Sequence, residues 1–216
     1  MKYGKNRRKI VITDKGVSQI PLTTMEYKEL KEMMIRNRSY RRFEESVRIS
    51  DDELKEIVDL CRFTASGRNL QPLKYRVVSS VEECAKVYPH LKWAGYLTDW
   101  DGPKAGERPA AYLIQCLDTS MTTNLLCDDG IQLEALTLGA VSKGLGCCII
   151  KSFNKKEIKE ALKIGGELDP IYVLAIGKPV ESVIIEEMKD DEIKYWRDEE
   201  QKHHVPKRSL QEILVK

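Results

Sequence analysis

Residues 129–143 form the longest apolar helical stretch of the chain, and its apolar side chains do not keep to one face. Ile131, Leu133, Leu136, Leu138 and Val141 spread around the helix, whereas a surface helix confines such residues to one stripe. A helix that is apolar on several faces must be buried on several faces. One small domain covers such a helix with difficulty, so the pattern predicts a second subunit packed against this one. The elements around it are of mixed type. Thr24 to Asn37 reads as a first helix with Met25, Leu30, Met33 and Met34 as its apolar or long side chains. Ser50 as N-cap with Glu53 three positions on spells a capping box, opening a helix through Cys61 whose apolar face is Leu54, Ile57, Val58 and Cys61. Strands are predicted at about 75–79, 111–117 and 171–176, and a further helix at about 154–163.

The 216 residues suffice for one core, or for one domain with a lid. Residues 1–24 read as a partly ordered basic arm, with Lys2, Lys5, Arg7, Arg8 and Lys9 ahead of a short candidate strand at 9–13, punctuated by Gly4, Gly16 and Pro21. The insert from Tyr88 to Pro109 carries Trp93, Tyr96 and Trp100. These rings either plug the core or belong to a lid that stacks on a ligand. Gly95, Gly102, Pro103 and Gly106 interrupt the segment and favour the lid. Beyond Gly177 the chain is charged and reads as an extended tail, too long for a mere terminus.

A net charge of +2 on a balanced surface carries no general signature of nucleic-acid or membrane binding. No apolar run reaches membrane-spanning length and the basic start leads into no signal-type core, so a cytoplasmic protein is expected. The six cysteines lack Cys-x-x-Cys spacing and read as buried free thiols. His203-His204 reads as an exposed pair in a polar tail, and no metal site is expected. Gly144-Leu145-Gly146 ends a helix and enters a strand, the reverse of the dinucleotide-binding order.

Two segments carry chemistry. Arg36-Asn37-Arg38-Ser39-Tyr40-Arg41-Arg42-Phe43 sets four guanidiniums and a Ser hydroxyl in eight residues, a composition suited to phosphate oxygens or simply to an exposed basic patch. Ser66-Gly67-Arg68-Asn69-Leu70-Gln71-Pro72 places two amides two positions apart ahead of a strand. Amides both donate and accept, which suits the edge of a heterocycle as well as an ordinary polar loop.

In order along the chain, these segments resemble the FMN-dependent nitroreductase family. Arg38, Ser39, Arg41 and Phe43 fit its phosphate motif Arg-Arg-Ser-x-Arg-x-Phe, with Asn37 in place of the first Arg. Ser66, Asn69, Gln71 and Pro72 fit its flavin-edge motif, while Ala65, Gly67 and Leu73 depart from it, so the motif's Trp is absent. The glycine-rich helix end at 138–146, Ile176-Gly177-Lys178-Pro179 and Pro206-Lys207-Arg208-Ser209-Leu210 are similar to three later family elements. The resemblance covers residues 25–216 and implies an α+β fold, a central mostly antiparallel sheet flanked by helices in an intertwined homodimer. It implies a lid at about 88–109 and a tail at about 180–216 that embraces the other subunit.

It also implies FMN held by Arg38, Ser39, Arg41, Lys207 and Arg208 at the phosphate. Ser66, Asn69 and Gln71 would lie along the ring, and a backbone N–H after Ile150, at Lys151 or Ser152, would face it. Trp93, Tyr96 and Trp100 would bind substrate. No protein side chain need be catalytic, because the flavin performs the hydride transfer. The implied activity is reduction of an electron-poor acceptor such as a nitro-compound or quinone, at the expense of NAD(P)H or a protein donor. Reductive dehalogenation, flavin fragmentation and non-catalytic redox sensing stay open.

Overall fold

The computed structural model describes residues 12–13, 16–17 and 26–215. The arm read from residues 1–24 lies largely outside them. Ile12–Thr13 (β1) and Gly16–Val17 (β2) pair antiparallel.

The main sheet has four strands in the order β3 (Leu73–Val78), β4 (Ala111–Asp118), β6 (Leu168–Gly177), β5 (Gly146–Ile150), and every neighbouring pair is antiparallel. Strand β4 is buried on both faces, which is why its sequence runs apolar without alternation. Its Tyr112, Ile114 and Cys116 join a cluster with Val87, Trp93, Ile158 and Leu162. Helices α3 (Val81–Val87) and α5 (Lys155–Ala161) supply part of that layer. Ala111 and Leu113 join a second cluster with Leu54, Ile57, Leu133 and Leu136. That layer is built by α2 (Asp51–Asp59) and α4 (Asp128–Ser142).

The capping box that opens α2 forms: Glu53 N–H donates to Ser50 Oγ at 3.2 Å, and Ser50 N–H donates to the Glu53 carboxylate at 3.0 Å. The helix tightens into a 3₁₀ turn at Leu60–Phe63 rather than continuing as α through Cys61. Helix α1 (Tyr27–Arg36) starts three residues later than Thr24, at a Glu26 and Glu29 box, and buries none of its side chains.

Helix α4 is covered mostly by its own chain. It packs against α1, α2, the 3₁₀ turn and β5, and a Cβ added at Gly139 would lie 2.4 Å from Leu60 Cδ1. The several-sided burial demanded by its sequence is therefore met largely without a partner, because α1, α2 and the sheet approach from different sides.

Residues 180–215 fold back on themselves rather than running on as an extended tail. Strand β7 (Val183–Glu187) pairs parallel with β9 (His203–Lys207), β8 (Trp196–Arg197) adds antiparallel, and α6 (Leu210–Ile213) follows. This fold-back buries His203 and His204, the pair expected to be exposed. The six cysteines are free, and all but Cys127 are buried. Among the described residues no helix is long and apolar enough to cross a membrane, and no His, Cys, Asp and Glu cluster could hold a metal.

Candidate functional site

The basic segment after α1 is fastened to the sheet by close contacts that need glycine. Tyr40 N–H donates to Cys147 O at 2.9 Å, and a Cβ at Gly146 would meet Tyr40 Cδ2 at 2.5 Å. Phe43 is fully buried, and a Cβ at Gly177 would sit 2.8 Å from its ring. Ser39 and Cys147 form a β-bridge, and Asn37 Nδ2 donates to Thr137 Oγ1 of α4 at 2.8 Å. Thus 37–43 lies beside the start of β5, within reach of the tail sheet.

Between this segment and the tail sheet is a cavity of about 280 Å³ lined by Arg38, Ser39, Arg41, Tyr195, His203 and Lys207 among others, none of them acidic. Arg41 is buried and tightly oriented. Its Nη1 donates to Ser39 O at 3.1 Å and to His203 Nε2 at 3.0 Å, and its guanidinium lies 4.8 Å from the Tyr195 ring centroid. Burial, and then the charges of Arg41 and Arg197, push the His203 ring down to about 4, so it is neutral near pH 7. Behind the cavity wall Glu181 accepts from the N–H groups of Arg41 and Arg42, and from Arg197 Nη2 at 3.0 Å. Arg38 donates to Met34 O at 2.9 Å, and its buried Nε has no partner. Three cations facing a cavity without a carboxylate make an anion site.

Not every residue of the basic elements joins it. Lys207 lines the cavity, whereas Arg208 pairs with Asp191 at 2.9 Å and Glu212 at 3.2 Å on the surface. The strand ends at Lys207, and Arg208 stands in the short link to α6, where Glu212 and Asp191 engage it. A larger cleft of about 480 Å³ lies elsewhere on the tail sheet, but Glu186, Glu187 and Glu192 line it with Lys189 and Lys194, which disfavours an anion.

The amide segment is a tight loop docked on the first turn of α4. Ser66 Oγ donates to Asp128 at 2.5 Å and Gly67 N–H at 2.8 Å. Arg68, Asn69 and Gln71 hold φ values of 53°, 55° and 53°, conformations that non-glycine residues adopt at a cost of about 1–3 kcal/mol each. Strain of this kind concentrates at binding loops. Gln71 Nε2 donates to Asn69 Oδ1 at 3.1 Å, leaving the outer edges of both amides exposed.

Ile150 is buried at the end of β5, and Lys151 and Ser152 are exposed beyond it. Lys151 lines a separate cavity of about 240 Å³ with Leu125, Asp129, Phe153, Lys155 and Tyr172. At about 3.3 Å per residue, β5 carries the chain about 13 Å from Cys147 to Lys151. The predicted site residues therefore fall into two groups, a cationic one at the start of β5 and a polar one near its end, beside the α4 terminus that anchors the amide loop.

The three insert rings part company. Trp93 belongs to the core, with its ring filling the space left by Gly102, and cannot stack on a ligand from there. Trp100 is half-buried against that cluster with the Arg197 guanidinium 4.2 Å from its ring centroid. Tyr96 is exposed and stands 5.0 Å from the Tyr195 ring, which is itself 5.1 Å from His203. Sequence reasoning missed Tyr195, Glu181 and His203. The alternation of 203–207 as a strand was the available signal for His203, since it sets that residue and Lys207 on one face.

Solved structures of the same fold agree with this architecture. A nitroreductase family protein from Streptococcus pneumoniae TIGR4 is 14% identical, with 87% of this chain and 99% of that one covered at a TM-score of 0.62. A protein from Exiguobacterium sibiricum 255-15 crystallised in complex with FMN is 20% identical, covering 77% and 96% at a TM-score of 0.60. A nitroreductase family protein from Clostridium novyi NT is 24% identical, covering 72% and 87% at a TM-score of 0.56. The sequence profile of the Nitroreductase family matches residues 35–178, from the end of α1 to the Lys after β6, and this chain therefore belongs to the nitroreductase family.

Proposed function

We propose that the chain is an FMN-dependent oxidoreductase that reduces an electron-poor organic acceptor of nitro-compound or quinone type. The observation that carries this reading is the acid-free cavity at Arg38, Ser39, Arg41 and Lys207, which fits a terminal phosphate ester. Arg38 Nε, buried and unpartnered, fits the same role. Arg208 does not, since Asp191 and Glu212 already engage it. Bound FMN would supply the two-electron chemistry, passing a hydride from a reduced donor such as NAD(P)H or a protein to the acceptor.

The chain's own residues bind, orient and shield. Arg41 presents a preset fork to the phosphate, Arg38 and Lys207 balance its charge, and Ser39 offers a hydroxyl. At the other end of β5, the N–H groups of Lys151 and Ser152 and the amides of Asn69 and Gln71 are suited to the polar edge of the ring. Ser66 acts through the loop, by bonding Asp128 and accepting Gln71 N–H at 2.9 Å. Of the insert rings, the exposed Tyr96 suits contact with an acceptor, whereas Trp100 packs on the core cluster with Arg197 against its ring. A homodimer in the cytoplasm with small-molecule acceptors completes the reading, and no residue contacts are assigned to nucleic acid.

A visible absorption spectrum of the purified protein, with chromatography of the released flavin, tests it. FMN rather than FAD is expected, and Arg41→Ala should weaken FMN binding about 10-fold or more, the worth of one charge-assisted contact. Unchanged FMN affinity in that variant would refute the assignment of the cavity. Bound FMN without turnover on any donor and acceptor pair would favour a redox sensor.

A further inference from the structure

We infer that His203 is a positioning residue of the phosphate cavity, which as the neutral imidazole accepts from Arg41 and holds that guanidinium in the wall, and which lets it go on protonation. The inference rests on the reading of this cavity as the FMN phosphate site. A guanidinium has five donors and no acceptor, and it keeps its charge at any working pH. The 3.0 Å contact between Arg41 Nη1 and His203 Nε2 therefore requires a lone pair on Nε2 and places the ring proton on Nδ1. Nδ1 is buried and has no partner.

The neighbouring histidine shows what a ring placed for stability looks like. Both nitrogens of His204 meet carboxylates, Glu186 at 2.6 Å and Asp198 at 3.1 Å, and Trp196 stacks on its face at 4.0 Å. His203 is more deeply buried yet half-satisfied, and a buried donor without a partner is unfavourable. What its position achieves is the orientation of Arg41. The other two restraints on that guanidinium, Ser39 O at 3.1 Å and the Tyr195 face, leave His203 as the one side-chain hydrogen-bond acceptor it touches among the described residues.

The charges around the ring make protonation disruptive. Arg41 faces it from the basic segment, Arg197 from β8 and His204 from its own strand, while Lys207 lines the same cavity. The carboxylates on the β7 side are committed, Glu181 to Arg197 and the N–H groups of Arg41 and Arg42, and Glu186 to His204. An imidazolium here would set two donors and two charges against each other at 3.0 Å. Burial first, and then these same charges, depress the ring to about 4.

The test compares FMN with riboflavin on the flavin-free full chain, by quenching of flavin fluorescence, because the ratio of their dissociation constants isolates what the phosphate adds. His203→Gln keeps an acceptor that does not titrate, and His203→Leu removes it. Near neutral pH the Gln variant should keep the FMN preference within about 2-fold, whereas the Leu variant should lose about 10-fold or more. As pH falls from about 6.5 to about 4, the wild-type preference should decline more steeply than that of the Gln variant, since the titration of the phosphate itself is common to both. Equal losses in Gln and Leu variants, or parallel pH profiles, would overturn the inference. If the Leu variant melts at the assay temperature, the Gln pH profile alone decides. A wild type that binds both flavins equally would instead overturn the phosphate reading.

Discussion

Glu181 joins the two halves of the cationic cavity. Its side chain is fully buried, and it bonds the backbone of Arg41 and Arg42 on one side and Arg197 on the other. Removing one partner of a buried ion pair leaves the other uncompensated, so Glu181→Ala should lose about 3–5 kcal/mol in urea unfolding and weaken FMN binding. Glu181→Gln should lose less, because its one amide oxygen still accepts, but its NH2 then faces a donor and the Arg197 charge stays unpaired. A loss below about 1 kcal/mol in the Ala variant would show that Arg197 finds another partner. His204 gives a prediction about pH. Its hydrogen bonds to Asp198 and then Glu186 raise its proton affinity above the ordinary 6.5. Folding therefore favours the protonated ring, and its contribution is complete below about pH 6.5 and fades as pH rises through the raised folded value. Replacing His204 with Gln should lower the melting temperature most near pH 6 and least near pH 9. A difference that is flat or grows with pH would contradict the pairing. Neither Glu181 nor His204 was legible as a buried partner, because each meets residues brought in by the tail sheet.

The insert at 88–109 shows at the scale of an element why composition alone could not choose between lid and core. Its backbone is pinned at both ends: Lys92 N–H donates to Ser152 O at 2.9 Å and Phe43 N–H to Glu107 O at 2.9 Å. Tyr88 Oη also donates to Pro103 O at 2.6 Å. Gly102, which read as a point of freedom, has φ 127° and instead makes room for the Trp93 ring. Trp93→Ala should therefore lose about 3–5 kcal/mol, whereas Tyr96→Ala should change stability by less than about 1 kcal/mol while altering acceptor kinetics. The reverse order in thermal melts would defeat this division. Local signals were readable where the physics is local: the Ser50 cap and the apolar run that became β4. Pairing of Val183–Glu187 with His203–Lys207 was not, since it is parallel and crosses a charged segment, and periodicity holds no record of such a partner. The same limit hid the two-cluster division of the site, which arises from the length of β5 rather than from either motif.

For the whole molecule the open question is what covers its apolar surface. Helix α1 buries none of its residues, and Tyr27, Leu30, Met34 and Ile35 are exposed along it, although a helix of 10 residues is marginal without packing. Phe63 after α2, Ile131 on α4, and Leu210, Ile213 and Leu214 near the C-terminus are exposed as well. So many large apolar side chains on several elements exceed what scattered surface residues explain, and the proposed homodimer accounts for them. The strained amide loop points the same way. Asn69 and Gln71 satisfy each other at the surface and are separated along α4 from the Asn37 anchor of the cationic cavity. Asp128 and Thr137 stand nine positions apart, about 13 Å of helix rise. An interface of more than about 2,000 Å² would cover α1 and bring the two kinds of site residue around one flavin. Sedimentation at micromolar concentration should therefore show a dimer. Ile35→Glu, at an exposed position of α1 that does not line the cavity, should yield monomer and lose FMN together, even with Arg38, Ser39, Arg41 and Lys207 intact. A monomeric Ile35→Glu variant that still binds FMN as tightly as the wild type would show that each chain holds its flavin alone.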